Sequence, residues 1–187
     1  MSIYRFRVLI DHSSEAFRDI EIASEQSFLE FHTAIKEAFG FTGQEMACFY
    51  VSDAQWDKGT EIPLADMGFA EEGKVPLLMH EVEVGDHIRD PDQRFVYAYD
   101  FLQMWMFMVE RIGTSEPDES VTYPRVVLAM GAAPDEHSKE DDLFTGIADE
   151  DPFAADMDEH GYDADDLDED EEPYNDGHFE GSEEEYH

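Results

Sequence analysis

Asp100 and Glu110 are the acidic residues best placed to work as a pair, because they fall on the two arms of one predicted hairpin. Paired carboxylates can do acid–base chemistry or hold a divalent cation, provided that a cleft and a third polar partner surround them. At the turn of an apolar hairpin, however, an aspartate usually caps backbone amides. We therefore expect a structural Asp100, and we predict no catalytic residue, no cofactor and no metal ion.

One histidine and the single cysteine also have side chains that could do chemistry. His32 lies on the apolar stripe of a predicted helix, which favours a histidine at the edge of the core, bonded to backbone, over a ligand or a base. Cys48 lies in the apolar run 46–51, which favours a buried side chain over a nucleophile. A single cysteine excludes an intramolecular disulfide and a cysteine-based metal cluster.

Short motifs for phosphate, metal or acyl chemistry are missing from the sequence. It contains no glycine-rich phosphate loop, no Gly-x-Ser-x-Gly and no His-Glu-x-x-His. Residues 156–161 resemble the start of a calcium loop, but Leu167 stands where the bidentate glutamate is required. We predict no specific calcium site there.

Three elements at the start of the chain are predicted from hydrophobic periodicity. Residues 3–10 alternate and predict a strand with Arg5 and Arg7 on its wet face, and residues 17–22 predict its hairpin partner. A helix then begins at Ser27, where Glu30 completes a capping box, and it ends at Gly40. This is the main amphipathic helix, over about residues 27–39.

The sequence that follows this helix, up to about residue 130, predicts further strands. Strand-like runs occupy residues 46–51, 61–64, 75–84, 94–100, 103–112 and 121–130. Residues 94–100 and 103–112 form the strongest hairpin, and both of its faces are apolar. A central strand covered on both sides explains that pattern, and an exposed groove lined with methionine is the alternative. Pro124 places the last strand at an edge of the sheet.

The two parts of the chain differ in charge. Residues 134–187 hold 24 acidic side chains and one lysine, in a protein of net charge −37. Charge of that density cannot pack, so we predict an α+β domain over 1–133, with a compact mixed or antiparallel sheet, and an acidic, disordered tail over 134–187. Aromatic residues recur along this tail, and five of them are candidate interaction residues, either as linear motifs or within a merely solubilising segment: Phe144, Phe153, Tyr162, Tyr174 and Phe179.

The charge balance also excludes classes of partner. Phosphate backbones require clustered lysine and arginine, so we expect no direct binding of nucleic acid. Anionic membrane surfaces are disfavoured for the same reason, and no segment is long and apolar enough to span a bilayer. We expect a cytoplasmic protein with protein partners, some of them basic.

Three stretches of the body resemble a known family. They are residues 28–41, then Tyr97-Ala98-Tyr99-Asp100-Phe101 followed by Trp105, and then Tyr123-Pro124-Arg125-Val126 running to Gly131 and Pro134. Together they are similar to the plasmid pRiA open-reading-frame-three-like family, often labelled transposon-passenger or TnpR-like. The resemblance implies a compact α+β domain, encoded beside mobile-element genes and without an established activity. It makes these residues the candidate family-motif positions: Tyr97, Tyr99, Asp100, Phe101, Trp105, Pro124, Gly131 and Pro134.

The chain departs from the family pattern at polar positions. A glycine, an aspartate and a histidine of the pattern around the hairpin are replaced here by Leu102, Gln103 and Phe107. Of the family's Pro-Pro-Glu-Asp segment and its paired glycines, this chain keeps Gly131, Pro134 and the acidic Asp135-Glu136. The resolvase label carries no weight, since nothing here supplies a serine nucleophile in a basic DNA-binding setting.

Three hypotheses for function follow. The first is a non-enzymatic interaction module whose acidic tail engages or screens a positively charged partner. The second is a nucleic-acid mimic that occupies the basic cleft of a nucleic-acid-binding protein. The third is a degenerate enzyme that uses Asp100, Glu110 and a nearby histidine. We also expect a chain ending at Ala133 to keep the cooperative melt of the full protein.

Overall fold

The computed structural model describes residues 1–68 and 75–139, which all belong to one compact unit. Seven strands, one α-helix and one short 3-10 helix make up this part of the chain. In chain order they are β1 (Ile3–Ile10), β2 (Phe17–Ala23), α1 (Phe28–Phe39), β3 (Ala47–Ser52), β4 (Lys58–Pro63), the 3-10 helix (Val84–His87), β5 (Arg94–Tyr99), β6 (Trp105–Ser115) and β7 (Arg125–Met130).

The helix α1 begins and ends as its sequence predicts. The Ser27 side chain accepts a hydrogen bond from the Glu30 amide, and the Glu30 side chain accepts one from the Ser27 amide, so the capping box is complete. At the other end Gly40 adopts a φ of 75°, a left-handed conformation that glycine reaches without a side-chain clash. Its amide bonds back to the last turn.

The seven strands form one sheet in the order β4-β3-β5-β6-β1-β2-β7, and all six neighbouring pairs run antiparallel. The predicted α+β class, both predicted hairpins and the edge position of the last strand are confirmed. The finer alternative of a mixed sheet is not what the structure shows, because every pairing is antiparallel.

The core lies between α1 and one face of the sheet and is built from aromatic rings. Phe31 stacks on Phe49 with ring centroids 5.5 Å apart, and it contacts Phe6 at 5.0 Å. Near the end of the helix, Phe39 meets Phe107 edge to face at 5.1 Å. Such contacts stabilise through buried area and through ring geometry. They fasten α1 across the middle of the sheet.

The other face of the sheet carries no helix of the described residues, and we call it the open sheet face. Its central residues Val96 and Ala98 are nonetheless buried, because they are short side chains between Tyr50 on one side and Met106 and Met108 on the other. The two methionines are half-buried. These neighbouring side chains contribute to the apolar character of this face of the hairpin, which no helix of residues 1–68 and 75–139 covers.

The prediction of a strand over residues 75–84 is wrong. Instead this irregular segment crosses the start of α1, where the carbonyls of Met79 and Val82 accept the amides of Leu29 and Phe28 at 3.0 Å each. The first amides of a helix lack partners within the helix, so this segment supplies them. Met79, Val82 and Val84 are buried against the core while the segment caps the helix, whereas Val75 and Leu77 are exposed. The sequence pattern alone does not separate this arrangement from a strand.

Residues 134–139, which their composition assigns to the acidic tail, pack against the sheet through Glu136 and Lys139. The candidate tail residues from Phe144 to Phe179 lie outside the described residues. Within the described part of the chain, no helix has the length and apolarity needed to cross a bilayer.

Candidate functional site

Part of the family motif lies at one end of the sheet, where the turn between β5 and β6 meets the chain after β7. This part comprises Tyr99, Asp100, Phe101, Trp105 and Pro134. Tyr97, Tyr99 and Trp105 are fully buried on the face that α1 covers. Tyr99 and Trp105 pair across the two strands, and Phe41 packs against both rings, at 5.7 and 5.3 Å. These three aromatic members of the motif therefore lie in the core.

Glu136 reaches into this cluster from the segment after β7 and is only 7% exposed. Its carboxylate accepts hydrogen bonds from the backbone amides of Thr42, at 2.6 Å, and Gly43, at 2.9 Å. The Tyr99 hydroxyl donates a further bond to it at 2.7 Å, and the Trp105 indole N–H donates to the Glu136 carbonyl at 3.0 Å. We call these five residues the Glu136 latch.

The protonation states in the latch are those of a structural contact. Burial by itself raises the pKa of a carboxyl group, but the bonds from Tyr99, Thr42 and Gly43 outweigh it and hold the pKa of Glu136 below its ordinary value. Burial, and then the bond to Glu136, raises the pKa of Tyr99. At neutral pH a carboxylate therefore accepts and a phenol donates, and neither group is poised to exchange a proton with a substrate.

Replacing Gly43 with alanine is expected to lower the free energy of unfolding by about 1–2 kcal/mol, roughly the value of one or two lost hydrogen bonds. The added methyl would collide with the Glu136 carboxylate and lie 2.7 Å from the Tyr99 hydroxyl. Urea unfolding measures the loss. Gly113→Ala is the matched control, because a methyl there meets nothing closer than 3.9 Å, at Arg5. Equal stability of the two variants would contradict this role of the latch.

His32 lies beside the latch and forms a buried pair with Tyr97. Its Nδ1 is 2.7 Å from the Tyr97 hydroxyl, so the histidine is bonded to a side chain and not, as its sequence position suggests, to backbone. The interpretation as a core-edge residue is confirmed, since only 6% of His32 is exposed. Burial, with a smaller contribution from Lys36, lowers the pKa of His32 from 6.5 to about 4. The ring is neutral at physiological pH.

Asp100 and Glu110 do not form a joint site. Asp100 Oδ1 accepts the amides of Leu102, at 3.0 Å, and Gln103, at 3.2 Å, so the expected cap of the turn is confirmed. Glu110 pairs with Arg94 at 3.0 Å, at the opposite end of the hairpin. The third hypothesis placed both acids around one reaction centre, and this geometry gives it no support.

Cys48 is buried, 2% exposed, as its sequence context predicts. Burial raises the pKa of its thiol to about 11, so the thiolate needed for nucleophilic attack is scarce at neutral pH. Among the described residues, no three or more histidine, cysteine or acidic side chains are grouped to hold a metal ion.

The remaining motif positions have different surroundings. Gly131 has a φ of 74° and approaches the Ala16 Cα so closely that an added Cβ would be 2.9 Å away. Pro134 is half-buried before the latch, and Phe101 is half-buried in the hairpin turn. Pro124 alone reaches a surface groove, at the start of β7.

Ion pairs cover part of the open sheet face. The sequence predicted that Arg5 and Arg7 lie on this face but did not predict their acidic partners. Arg7 binds Asp19 through two bonds of 2.8 and 2.9 Å, and Glu21 lies between Arg5 and Arg125, at 2.6 and 2.7 Å. The carboxylates lie underneath and the guanidinium groups are exposed. Burial raises the pKa of Glu21, but the bonds from Arg5 and Arg125 dominate and lower it overall. The alternation of Arg5 and Arg7 in the sequence predicts the face on which they lie. Their acidic partners become identifiable only when the register between the strands is known.

A groove runs between α1 and the start of β7, and we call it the α1–β7 groove. Its volume is about 300 Å³, it opens to solvent, and it is lined by Leu29, Glu30, Thr33, Ala34, Glu37 and Pro124. The neighbouring strand β7 exposes Val126, Leu128 and Met130. The lining residues fall within two of the family-resembling stretches, 28–41 and 123–126, but the sequence did not predict that these stretches meet in a groove.

Comparison with known proteins agrees with the resemblance seen in the sequence. The profile of a family described as plasmid pRiA4b ORF-3-like protein matches residues 2–171. A crystal structure of a protein of unknown function from Methanosarcina mazei Go1 is similar in fold, with a TM-score of 0.61 and 19% sequence identity, over 80% of this chain and 83% of that one. No curated protein matches the chain.

Proposed function

The chain belongs to the plasmid pRiA4b ORF-3-like family, and on that premise we propose that it is a non-enzymatic protein-interaction module. In this proposal the folded body presents a binding surface, and the acidic residues beyond it engage or screen a positively charged partner. The proposal includes a cytoplasmic location and a gene neighbourhood of mobile elements, which family resemblance suggests.

The use of the polar motif residues supports a non-enzymatic role. Asp100 caps a turn, and Glu136 joins the chain after β7 to the loop after α1. The neutral His32 is bonded to Tyr97 inside the core. A catalytic acid or base has to reach a substrate atom within hydrogen-bond distance. Each of these groups is instead occupied by the protein itself.

Exposed apolar side chains support the proposal that the folded body presents a binding surface. Leu9, Leu128 and Met130 are exposed on or beside the open sheet face, and Met106 and Met108 are half-buried there. Methionine and leucine on a solvent-facing surface next to arginine are typical of protein interfaces, whose centres are apolar and whose guanidinium groups make directed contacts. The open sheet face is thus the observation on which the proposal depends most.

Charge supports a basic partner. The net charge of −37 repels nucleic acid and anionic lipid, and it speeds encounters with positively charged proteins. Such attraction weakens as salt rises, because exposed charges are screened over about 8 Å at physiological ionic strength.

The proposal is tested by affinity capture with two full-length baits. One is the native chain, and the other carries Asn and Gln in place of the acids at 149–151 and 168–172. We expect basic proteins to be retained by the native bait at low salt, and to be lost at high salt or with the neutralised bait. Capture of nucleic-acid-binding proteins alone would favour the mimic hypothesis. Equal capture by both baits would contradict a role for the acidic residues.

A further inference from the structure

The two edges of the sheet differ in how they are protected. An edge strand offers unpaired backbone groups to another strand, and proteins usually protect it with charges, proline or irregular pairing. Both edge strands pair irregularly with their neighbours, and the edge strand β4 also contains two charged residues and a proline, Lys58, Glu61 and Pro63. The edge strand β7 instead reads Arg-Val-Val-Leu-Ala-Met, and Leu128 and Met130 are 41% and 50% exposed.

The outer edge of β7 lies beside the α1–β7 groove. No strand of residues 1–68 or 75–139 pairs with this edge. A strand added there would point alternate side chains to opposite faces. The side chains on one face of the added strand would lie over Leu29 and Ala34 in the groove. The side chains on its other face would extend the apolar surface formed by Leu128 and Met130.

Both ends of the groove are braced, so it exists before any partner arrives. At one end Arg18 donates to the carbonyls of Ala38, at the end of α1, and of Met130, at the end of β7, each at 2.9 Å. At the other end Gln26 donates to the Tyr123 carbonyl at 2.8 Å and to Glu30 at 2.9 Å. A preformed site avoids the ordering cost of binding.

We propose that β7 and the α1–β7 groove bind an extended segment of a partner protein by strand addition, which deepens and rests on the proposed interaction function. Backbone hydrogen bonds to β7 supply sequence-independent affinity, and the groove selects side chains. The segment alternates apolar residues with lysine or arginine.

The acidic side chains that line the groove are the reason for proposing a basic segment. Glu30 and Glu37 line it and are exposed, and no basic side chain lines it with them. Burial raises the pKa of Glu30, but bonds from Ser27 and Gln26 outweigh it and lower the pKa, so the group is ionised at neutral pH. An acidic peptide would meet like charge at this wall, and a basic one finds complementary charge.

The test uses isotope-labelled full-length protein and an acetylated, amidated hexapeptide of alternating valine and lysine. We expect chemical-shift changes at amides of 125–130 and along α1, and slower hydrogen exchange in β7. The same peptide with methylated backbone nitrogens keeps its charge and apolar groups but cannot pair as a strand. It should bind at least about tenfold more weakly, because at least one or two backbone hydrogen bonds are lost.

A matched pair of variants tests the groove. Glu37→Lys cancels the negative charge of the groove, because Glu30 remains beside the new lysine, and it should weaken binding of the peptide about fivefold to tenfold. Glu61→Lys makes the same change in net charge on β4, at the other edge of the sheet, and should leave binding of the peptide to β7 and the groove unchanged.

Three results would overturn strand addition at β7. They are equal binding of the methylated peptide, shifts confined to residues 140–187, and no binding at all. The first two would show simple charge attraction, which leaves the proposed interaction function standing. That function fails separately, when the affinity capture of the two full-length baits finds no dependence on the acidic residues.

Discussion

Replacing Glu136 with alanine lowers the free energy of unfolding by about 3 kcal/mol, since removal of the carboxylate leaves buried donors without an acceptor. The Tyr99 hydroxyl is buried in the core and cannot turn to water, whereas the amides of Thr42 and Gly43 lie in a partly exposed loop and recover part of the loss. Urea unfolding followed by the fluorescence of the buried Trp105 measures the change.

Two further variants separate the latch from a general effect of charge. Asp135→Ala removes an exposed neighbouring acid whose carboxylate accepts the His137 amide at 2.8 Å, and it should lower stability by about 1 kcal/mol or less. Glu136→Gln keeps one acceptor and should lie between the two. If Glu136→Ala were as mild as Asp135→Ala, the latch would contribute nothing measurable to the fold.

The latch predicts a lower stability for a chain ending at Ala133, in contrast to the expectation from sequence that such a chain melts like the full protein. Such a chain lacks Glu136 and the segment that contacts Trp105, including Lys139, whose ammonium lies 4.2 Å from the centre of that ring. A chain ending at Lys139 keeps these contacts. We expect it to be more stable than the shorter chain by about 3 kcal/mol or more.

Stability falls by about 2 kcal/mol between pH 7 and pH 5 through His32 alone. The pKa of the folded-state ring, about 4, is below the ordinary 6.5, so the unfolded chain takes up its proton at the higher pH. The contribution of His32 is therefore complete above about pH 6.5 and is lost progressively as the pH decreases towards 4. Urea unfolding at intervals of half a pH unit measures this slope.

The variant His32→Asn isolates the histidine. Asparagine places a polar group near Nδ1, within reach of the Tyr97 hydroxyl, and does not titrate. Its stability should fall less steeply from pH 7 to pH 5 than that of the native chain. Burial also lowers the pKa of His87, which therefore contributes the same slope to both proteins. Glu21 and Glu136, whose pKa values are lowered, lose their contributions only under more acidic conditions in both proteins. Parallel profiles for the native chain and the variant would show that His32 titrates normally and is not buried as described.

Local patterns predicted the elements whose partners are close in sequence. The capping box at Ser27 and the glycine at 40 act within one helix, and the two hairpins pair segments joined by short turns. The order of the strands was not predictable in this way. It places β3 beside β5 and β7 beside β2, and those neighbours are decided by how the core closes.

The site was harder to predict because its parts are distant in sequence and mixed in composition. Glu136 is more than ninety residues from the amides of Thr42 and Gly43 that it binds, and a count of charges merges it with the acids that follow. The Asp135-Glu136 kept from the family pattern was the available signal. The α1–β7 groove has no sequence signal, since it arises from the space between a helix and an edge strand.

The central claim is that the Glu136 latch holds the fold together while binding takes place elsewhere. Affinity capture with three full-length baits tests it: the native chain, Glu136→Gln and the chain with neutralised acids at 149–151 and 168–172, each at a temperature where circular dichroism shows it folded. We predict that Glu136→Gln retains the partners of the native chain and that the neutralised chain loses them. A folded Glu136→Gln that loses every partner would contradict the claim and make the motif cluster the functional site.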